Sequence, residues 1–200
     1  MRYENYDIPS IKTRYGGYTF KSKLEARWAV FMDLLGVSYE YEKYKGIVSV
    51  NIIEYAYMPD FFLKDIELFL EIKPRKPVES ELNKAAGWAN DAGDVVFFYR
   101  LAPDNGIRMI GCDDATPYLD ADVWRWCECQ RCLKIDITAK GVPQCGCYSD
   151  DELDKMLGGK IMDIDFSRTP SILQAFSIAK KFNFQTKNRV KPLQRRAFLL

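Results

Sequence analysis

Residues 58–74 read MPDFFLKDIELFLEIKP: two apolar runs, a Lys64-Asp65 break between them, and Pro74 at the end. No other stretch restricts the fold as strongly. Short runs rich in Phe, Leu and Ile suit strands, a polar dipeptide between two such runs suits a hairpin turn, and prolines at 74 and 77 end sheet pairing because they cannot donate to a ladder. Side chains alternate along a strand. Ile66, Leu68, Leu70 and Ile72 therefore share one face, read as the core face, while Glu67, Phe69, Glu71 and Lys73 share the other. A turn centred on Lys64-Asp65 places Asp60 opposite Phe69, on the face of Glu71 and Lys73. Asp60 and Glu71 are then diagonal neighbours, roughly 7–8 Å apart at the backbone, near enough for their carboxylates to share a small ion.

The flanking sequence extends the hairpin to an α/β core. Residues 22–35 carry Leu24, Trp28, Phe31 and Leu35 at the spacing of one helix face, and Gly36 is a natural stop. Ser22 is placed to cap this helix, with Glu25 completing a capping box. Tyr39 and Tyr41 alternate with Glu40 and Glu42 as a half-exposed strand, and residues 52–63 and 66–73 form the arms of the hairpin. Residues 79–93 read as a helix in spite of Gly87, residues 95–100 as a short buried strand, and residues 107–111 as a strand returning after the PDNG turn. The order helix, strands, helix, strands fills residues 1–118, the usual size of one domain. A stretch of clustered aromatic and cysteine residues follows over 119–150. Residues 151–200 hold the polar helix start SDDELDKML, a Gly158-Gly159 break and an amphipathic helix near 170–184. That last helix, apolar at Ile172, Ala175, Phe176 and Ala179, suits packing on the core or on a second subunit.

The chain contains no histidine. Ser-His-Asp and Cys-His nucleophile pairs, and metal centres built on imidazole, are thereby excluded. Chemistry here must run on carboxylates, lysine, thiolates or metal-bound water. The net charge of +1 says little about a partner, but residues 180–200 hold seven Lys or Arg and no acid. Such a tail suits a polyanion or, equally, a solvated terminus. No apolar run nears the about 20 residues of a membrane span, and MRYENYDIPS lacks the apolar segment of a secretory signal. A cytosolic protein with reduced cysteines is expected.

Two converging carboxylates repel, and each raises the other's pKa unless a cation sits between them. Hard oxygen donors select Mg²⁺ or Mn²⁺. An amine on the same face can orient or deprotonate a water, or neutralise charge on a phosphate. The spacing Pro59-Asp60, ten residues, Glu71-Ile72-Lys73 resembles the PD-(D/E)xK signature of restriction-endonuclease-like nucleases, and residues 20–42 are similar to the first helix and strand of phage-encoded members. The cysteine cluster and residues 169–184 (TPSILQAFSIAKKFNF) also resemble downstream segments of such nucleases. The resemblance implies an α/β fold with a mixed central sheet flanked by helices, and hydrolysis of a DNA phosphodiester by metal-activated water. It implies Asp60 and Glu71 as ligands of the catalytic Mg²⁺ (or Mn²⁺), Lys73 acting on the attacking water, and Glu25 as a further metal or water ligand from the helix. Glu42 and Lys84 are weaker candidates for positioning substrate. The competing structural roles are an exposed cross-strand charge pair for Asp60, Glu71 and Lys73, and the capping box itself for Glu25.

Five of the six cysteines fall within CECQRCLKIDITAKGVPQCGC. Cys129 and Cys132 form one knuckle, Cys145 and Cys147 a second, and four thiolates so spaced suit a tetrahedral structural Zn²⁺ with a short hairpin between the knuckles. Cys127 is a substitute ligand, and an iron–sulfur cluster is the alternative occupant. Cys112, alone after a strand, reads as a buried apolar residue. Arg125, Arg131, Lys134 and Lys140 are candidates to reach phosphate.

The expectation is a metal-dependent DNA endonuclease: a restriction-endonuclease-like core over 1–118, a four-cysteine zinc ribbon over 119–150 and a basic helical extension over 151–200. DNA is the expected partner and a homodimer is left open, with no membrane and no small-molecule cofactor. A phage-encoded chain would work in the host cytoplasm. The alternatives are a nucleic-acid-binding or interaction protein on an inactive nuclease scaffold, or a nuclease acting on RNA or branched DNA, because a metal site of this kind meets only a phosphate.

Overall fold

A tight hairpin of β1 (Thr13–Tyr15) and β2 (Tyr18–Phe20) leads into α1 (Lys23–Leu35). The computed structural model describes residues 10–50, 52–113, 116–120, 122–157, 166–185 and 189–195. Helix α1 begins where Ser22 Oγ accepts the Glu25 N–H at 3.1 Å, and it stops at Gly36, whose φ of 70° suits a residue without Cβ. After it come β3 (Tyr39–Tyr41), β4 (Gly46–Val50), β5 (Ile53–Tyr57), β6 (Phe61–Leu63), β7 (Leu68–Lys73), α2 (Glu79–Ala92), β8 (Val95–Tyr99), β9 (Gly106–Asp113) and β10 (Thr116–Leu119). A six-stranded mixed sheet runs β10-β9-β8-β7-β6-β3. Only β7 and β8 pair in parallel, joined by α2, as a crossover connection requires.

The sheet is covered on both faces. Phe61, Leu63, Leu70, Ile72, Val96 and Phe98 share a cluster with α1, while Phe69, Val95, Phe97 and Met109 pack with α2. The expected single core face on β7 is therefore corrected: Phe69, assigned to the polar face, is itself core. The hairpin is also shorter than expected. Residues 64–67 form a four-residue turn, Ile66 lies in that turn, and Phe61 pairs with Leu70 and Phe62 with Phe69. Asp60 is thus level with Glu71 rather than Phe69. The slip is by two residues, so every side chain keeps its face. The first arm is split as well: β5 pairs with β4 as a separate two-stranded unit, and the chain breaks at Met58-Pro59 before β6.

That separate hairpin explains Gly87. A Cβ there would stand 3.1 Å from Val48 Cβ and 3.2 Å from the Ser49 carbonyl, so α2 carries a glycine where β4 crosses it. Gly87→Leu is expected to lower stability by about 1–3 kcal/mol through overpacking, in spite of leucine's better helix propensity, as read by urea unfolding.

The remaining elements are β11 (Arg125–Glu128), β12 (Ile135–Thr138), α3 (Asp150–Leu157) and α4 (Pro170–Lys181). Strands β11 and β12 pair with each other, and Trp126 plugs into the α1 cluster, stacked 6.2 Å from Trp28 and edge-on at 5.3 Å to Phe31. Helix α4, capped by Thr169, buries Ile172, Ala175 and Ala179 in the same cluster, so its partner is the core. The segment 189–195 then straps α1: Leu193 N–H donates to the Leu34 carbonyl at 2.8 Å, Arg189 Nε to Asp33 at 2.8 Å, and Arg195 reaches Glu128 at 3.1 Å. Two of the tail's cations are thereby held by acids of the fold, which corrects the picture of a free basic tail. Residues 1–9, Gly158-Gly159, and the side chains of Cys112 and Lys140 lie outside the described residues. No described helix is long and apolar enough to cross a membrane.

Candidate functional site

Strands β6 and β7 bring Asp60, Glu71 and Lys73 to one place. Asp60 is 8 % exposed and Glu71 6 %. Asp60 Oδ2 accepts the Ile72 N–H at 2.7 Å, Lys73 Nζ donates to Glu71 at 2.6 Å, and the Tyr57 hydroxyl donates to Glu71 at 3.3 Å. Burial, then the charges of Glu71 and Glu25, push the Asp60 carboxyl well above the usual carboxylate range. Burial also raises Glu71, against the pull of Lys73 and Tyr57. Burial works to lower Lys73, but the Glu71 and Asp60 charges outweigh it and its pKa rises. Two buried acids thus share one lysine, and burial favours their protonated forms.

Glu25 belongs to this neighbourhood without closing on it. Its carboxylate accepts the Ser22 hydroxyl at 2.6 Å, the Lys21 N–H at 3.1 Å and the Tyr41 hydroxyl at 2.5 Å, while its charge acts on Asp60. The expected return bond to the Ser22 amide is replaced by one to the Lys21 amide. The three carboxylates do not come within 4.8 Å of one another as a trio. Glu42 is tied to Lys21 in an ion pair.

Glu71 and Lys73 open onto a cleft of about 790 Å³ walled by the roots of β4 and β5, and Asp60 does not line it. Lys21, Lys45, Lys73 and Lys84 border it, with Glu71 and Glu81 among them. Lys84 lies over the Tyr55 ring at 4.8 Å. Of these groups Lys21, Lys45, Tyr57 and Glu81 were not singled out from the sequence. They come from four separate segments, and only Tyr57, three residues before Asp60 at the end of β5, carried any local signal.

A second site lies in the ribbon. The sulfurs of Cys129, Cys132, Cys145 and Cys147 all lie within 4.8 Å of one another. Thiolates about 2.3 Å from a zinc ion sit about 3.8 Å apart at the corners of a tetrahedron, so the quartet fits such a metal. The Cys132 N–H donates to Cys129 Sγ at 3.4 Å, and Gly146, at φ 70°, turns the chain between the second pair. Burial raises Cys129, but the Cys132 amide and neighbouring donors bring it down to about 7. Cys127 is not part of the quartet: its Sγ lies 3.6 Å from the Asp136 carbonyl and 3.7 Å from Thr138 Oγ1, and burial pushes its thiol up to about 12. Its role as a substitute ligand is thereby corrected. The first knuckle sits in the β11–β12 turn, so the hairpin spans that knuckle and only β12 lies in the inter-knuckle segment. Arg131 stacks on Tyr148 at 4.3 Å and pairs with Glu152 at 2.8 Å, and Lys134 donates to the Gln144 carbonyl at 3.0 Å. Both cations brace the ribbon itself.

Comparison of the chain with protein-family models, with curated proteins and with solved structures returned no match. What is established is a mixed α/β fold with a cluster of four cysteines fit for a metal such as zinc.

Proposed function

We propose that the chain is a metal-dependent DNA endonuclease with a restriction-endonuclease-like core, as its PD-(D/E)xK resemblance implies. One observation carries the reading: Asp60 and Glu71 are buried carboxylates brought together by neighbouring strands, and Glu71 stands with Lys73 at the wall of a lysine-bordered cleft. Hard oxygen donors fit Mg²⁺ or Mn²⁺, and Asp60 and Glu71 are the residues that would hold it. The bound cation would supply Lewis acidity and a water of lowered pKa. Around it the chain provides the rest. Glu71 and Tyr57 fix the Lys73 ammonium and its surroundings, and Lys73 is placed to orient a water or meet a phosphate oxygen. Lys21, Lys45 and Lys84 offer a nucleic-acid backbone the charge it needs.

The test is nicking of supercoiled plasmid with and without Mg²⁺ or Mn²⁺. Asp60→Ala and Lys73→Ala are each expected to lower the rate by about two to four orders of magnitude. Variants that nick as fast as the parent would place the chemistry elsewhere, and a folded parent inert on plasmid with either metal would favour a binding protein on an inactive scaffold.

A further inference from the structure

The β4–β5 hairpin leaves the wall of the cleft and ends in a tip that breaks ordinary turn rules. Its root residues Gly46 and Tyr57 line the cleft, and Val48 seats its inner face on α2 at Gly87. At the far end Val50 pairs with Ile53, and Ile52 lies in the turn between them. Two-residue turns of this kind need positive φ and favour Asn-Gly. Here the second position is Ile52, at φ 61° and wholly exposed. A β-branched residue in the left-handed region is a strained outlier, and strain of this kind concentrates at functional points. Nothing in the described fold repays it, since Ile52 gains no burial. Ile53 beside it is also exposed, at 54 %, followed by the exposed Glu54, while Ile47, 61 % exposed, lies at the lysine-bordered root.

We infer that this hairpin is a wedge that enters duplex DNA, Ile52 pushing between adjacent base pairs while the lysines at the hairpin's root hold the backbone. This names the substrate of the nuclease site proposed above and rests on that reading. Apolar side chains such as isoleucine serve as wedges in proteins that bend a duplex by partial unstacking. Single-strand binding instead uses aromatic platforms, and the tip has none: the nearest ring, Tyr55, lies under Lys84. Roughly five strand residues between root and tip, at about 3.3 Å each, give a reach of about 17 Å. The opened step then falls within about five base pairs of the cut, at about 3.4 Å per pair.

The experiment places 2-aminopurine at successive positions of a duplex oligonucleotide and titrates the zinc-loaded full chain without added Mg²⁺ or Mn²⁺ and without chelator, with binding followed by anisotropy. The parent protein is expected to raise fluorescence at least about threefold at one step. Ile52→Gly, which relieves the φ strain and keeps the melting temperature at or above the parent's, is expected to lose that rise. With Mg²⁺ present the variant should cut continuous duplex about tenfold more slowly, and a bulge at the opened step should narrow the deficit. Bound duplex without a fluorescence rise in the parent, an equal rise with Ile52→Gly, or unstacking of RNA duplex alone would overturn the wedge. Opening without any Mg²⁺-dependent cutting would leave the wedge standing and remove the nuclease, cutting without opening would do the reverse, and absence of binding would remove both.

Discussion

Replacing Asp60 by asparagine is expected to abolish Mg²⁺-dependent cutting and, in the same protein, to raise the melting temperature measured without added Mg²⁺. Both effects have one cause. Asp60 is buried beside Glu71 and feels the Glu25 charge, and its carboxyl sits well above the usual range because of burial first and those charges second. A carboxyl raised in the folded state is favoured at low pH, and that advantage is lost as pH rises from its ordinary value near 4 through the folded value. The Mg²⁺-free parent should therefore lose stability across that rise. Asparagine keeps the carbonyl oxygen that accepts the Ile72 N–H at 2.7 Å and removes the charge. At this chain length each kcal/mol of relieved repulsion raises Tm by about 2–4 °C. Thermal melts of the zinc-loaded protein without and with Mg²⁺, across about pH 5 to 8, read the result. The parent should be stabilised by Mg²⁺ and the variant should not, because a ligand that binds only the folded state raises stability with the logarithm of its concentration above Kd. A variant that melts below the parent without Mg²⁺, yet gains equally from Mg²⁺, would show that Asp60 is a structural acceptor and no metal ligand.

The acid pair was legible in the sequence for a reason that also shows where sequence reading fails. Placing the turn at Lys64-Asp65 misjudged its length, since four residues separate Leu63 from Leu68. A slip of two leaves alternation intact, so Asp60, Glu71 and Lys73 stayed on one face, whereas a slip of one would have scattered them. Helix α1 was legible because its information is local: an apolar stripe, Ser22 at the start and Gly36 at the end. What stayed hidden depends on contacts between distant segments. That Phe69 is core follows from α2 covering the second face, and that Arg189 and Arg195 are paired follows from Asp33 and Glu128 lying under the strap. The lysine border of the cleft is assembled from loops and strands that share no periodicity. Its recognition required the hairpin's seat on α2, which the glycine at 87 announced only as an oddity.

Removal of the ribbon metal is expected to have the larger effect on the fold as a whole. The protein as purified should hold one zinc per chain. Cys132→Ser and Cys145→Ser should each reduce that to a small fraction, while Cys127→Ala, outside the quartet, should leave it unchanged. A structural zinc supplies about 10–16 kcal/mol of apparent binding free energy in small ribbons, as much as the about 5–15 kcal/mol of net stability of an ordinary domain. The ribbon's own apolar cluster is small, built on Cys127, Cys129, Tyr148 and Phe166, so it cannot make good such a loss. The damage should spread, because β11 carries Trp126 into the α1 cluster and Arg195 ties Glu128 and the Leu133 carbonyl to the strap. Chelation is therefore expected to lower Tm by on the order of 10 °C or more and to change the emission of Trp126, now packed between Trp28, Phe31 and Phe98. Metal analysis together with the visible spectrum separates the two occupants: zinc is colourless, whereas an iron–sulfur cluster absorbs and would carry iron in place of zinc. A chain that retains its Tm and tryptophan emission after complete removal of metal would show that the quartet packs as four thiols and that Trp126 alone holds the ribbon to α1.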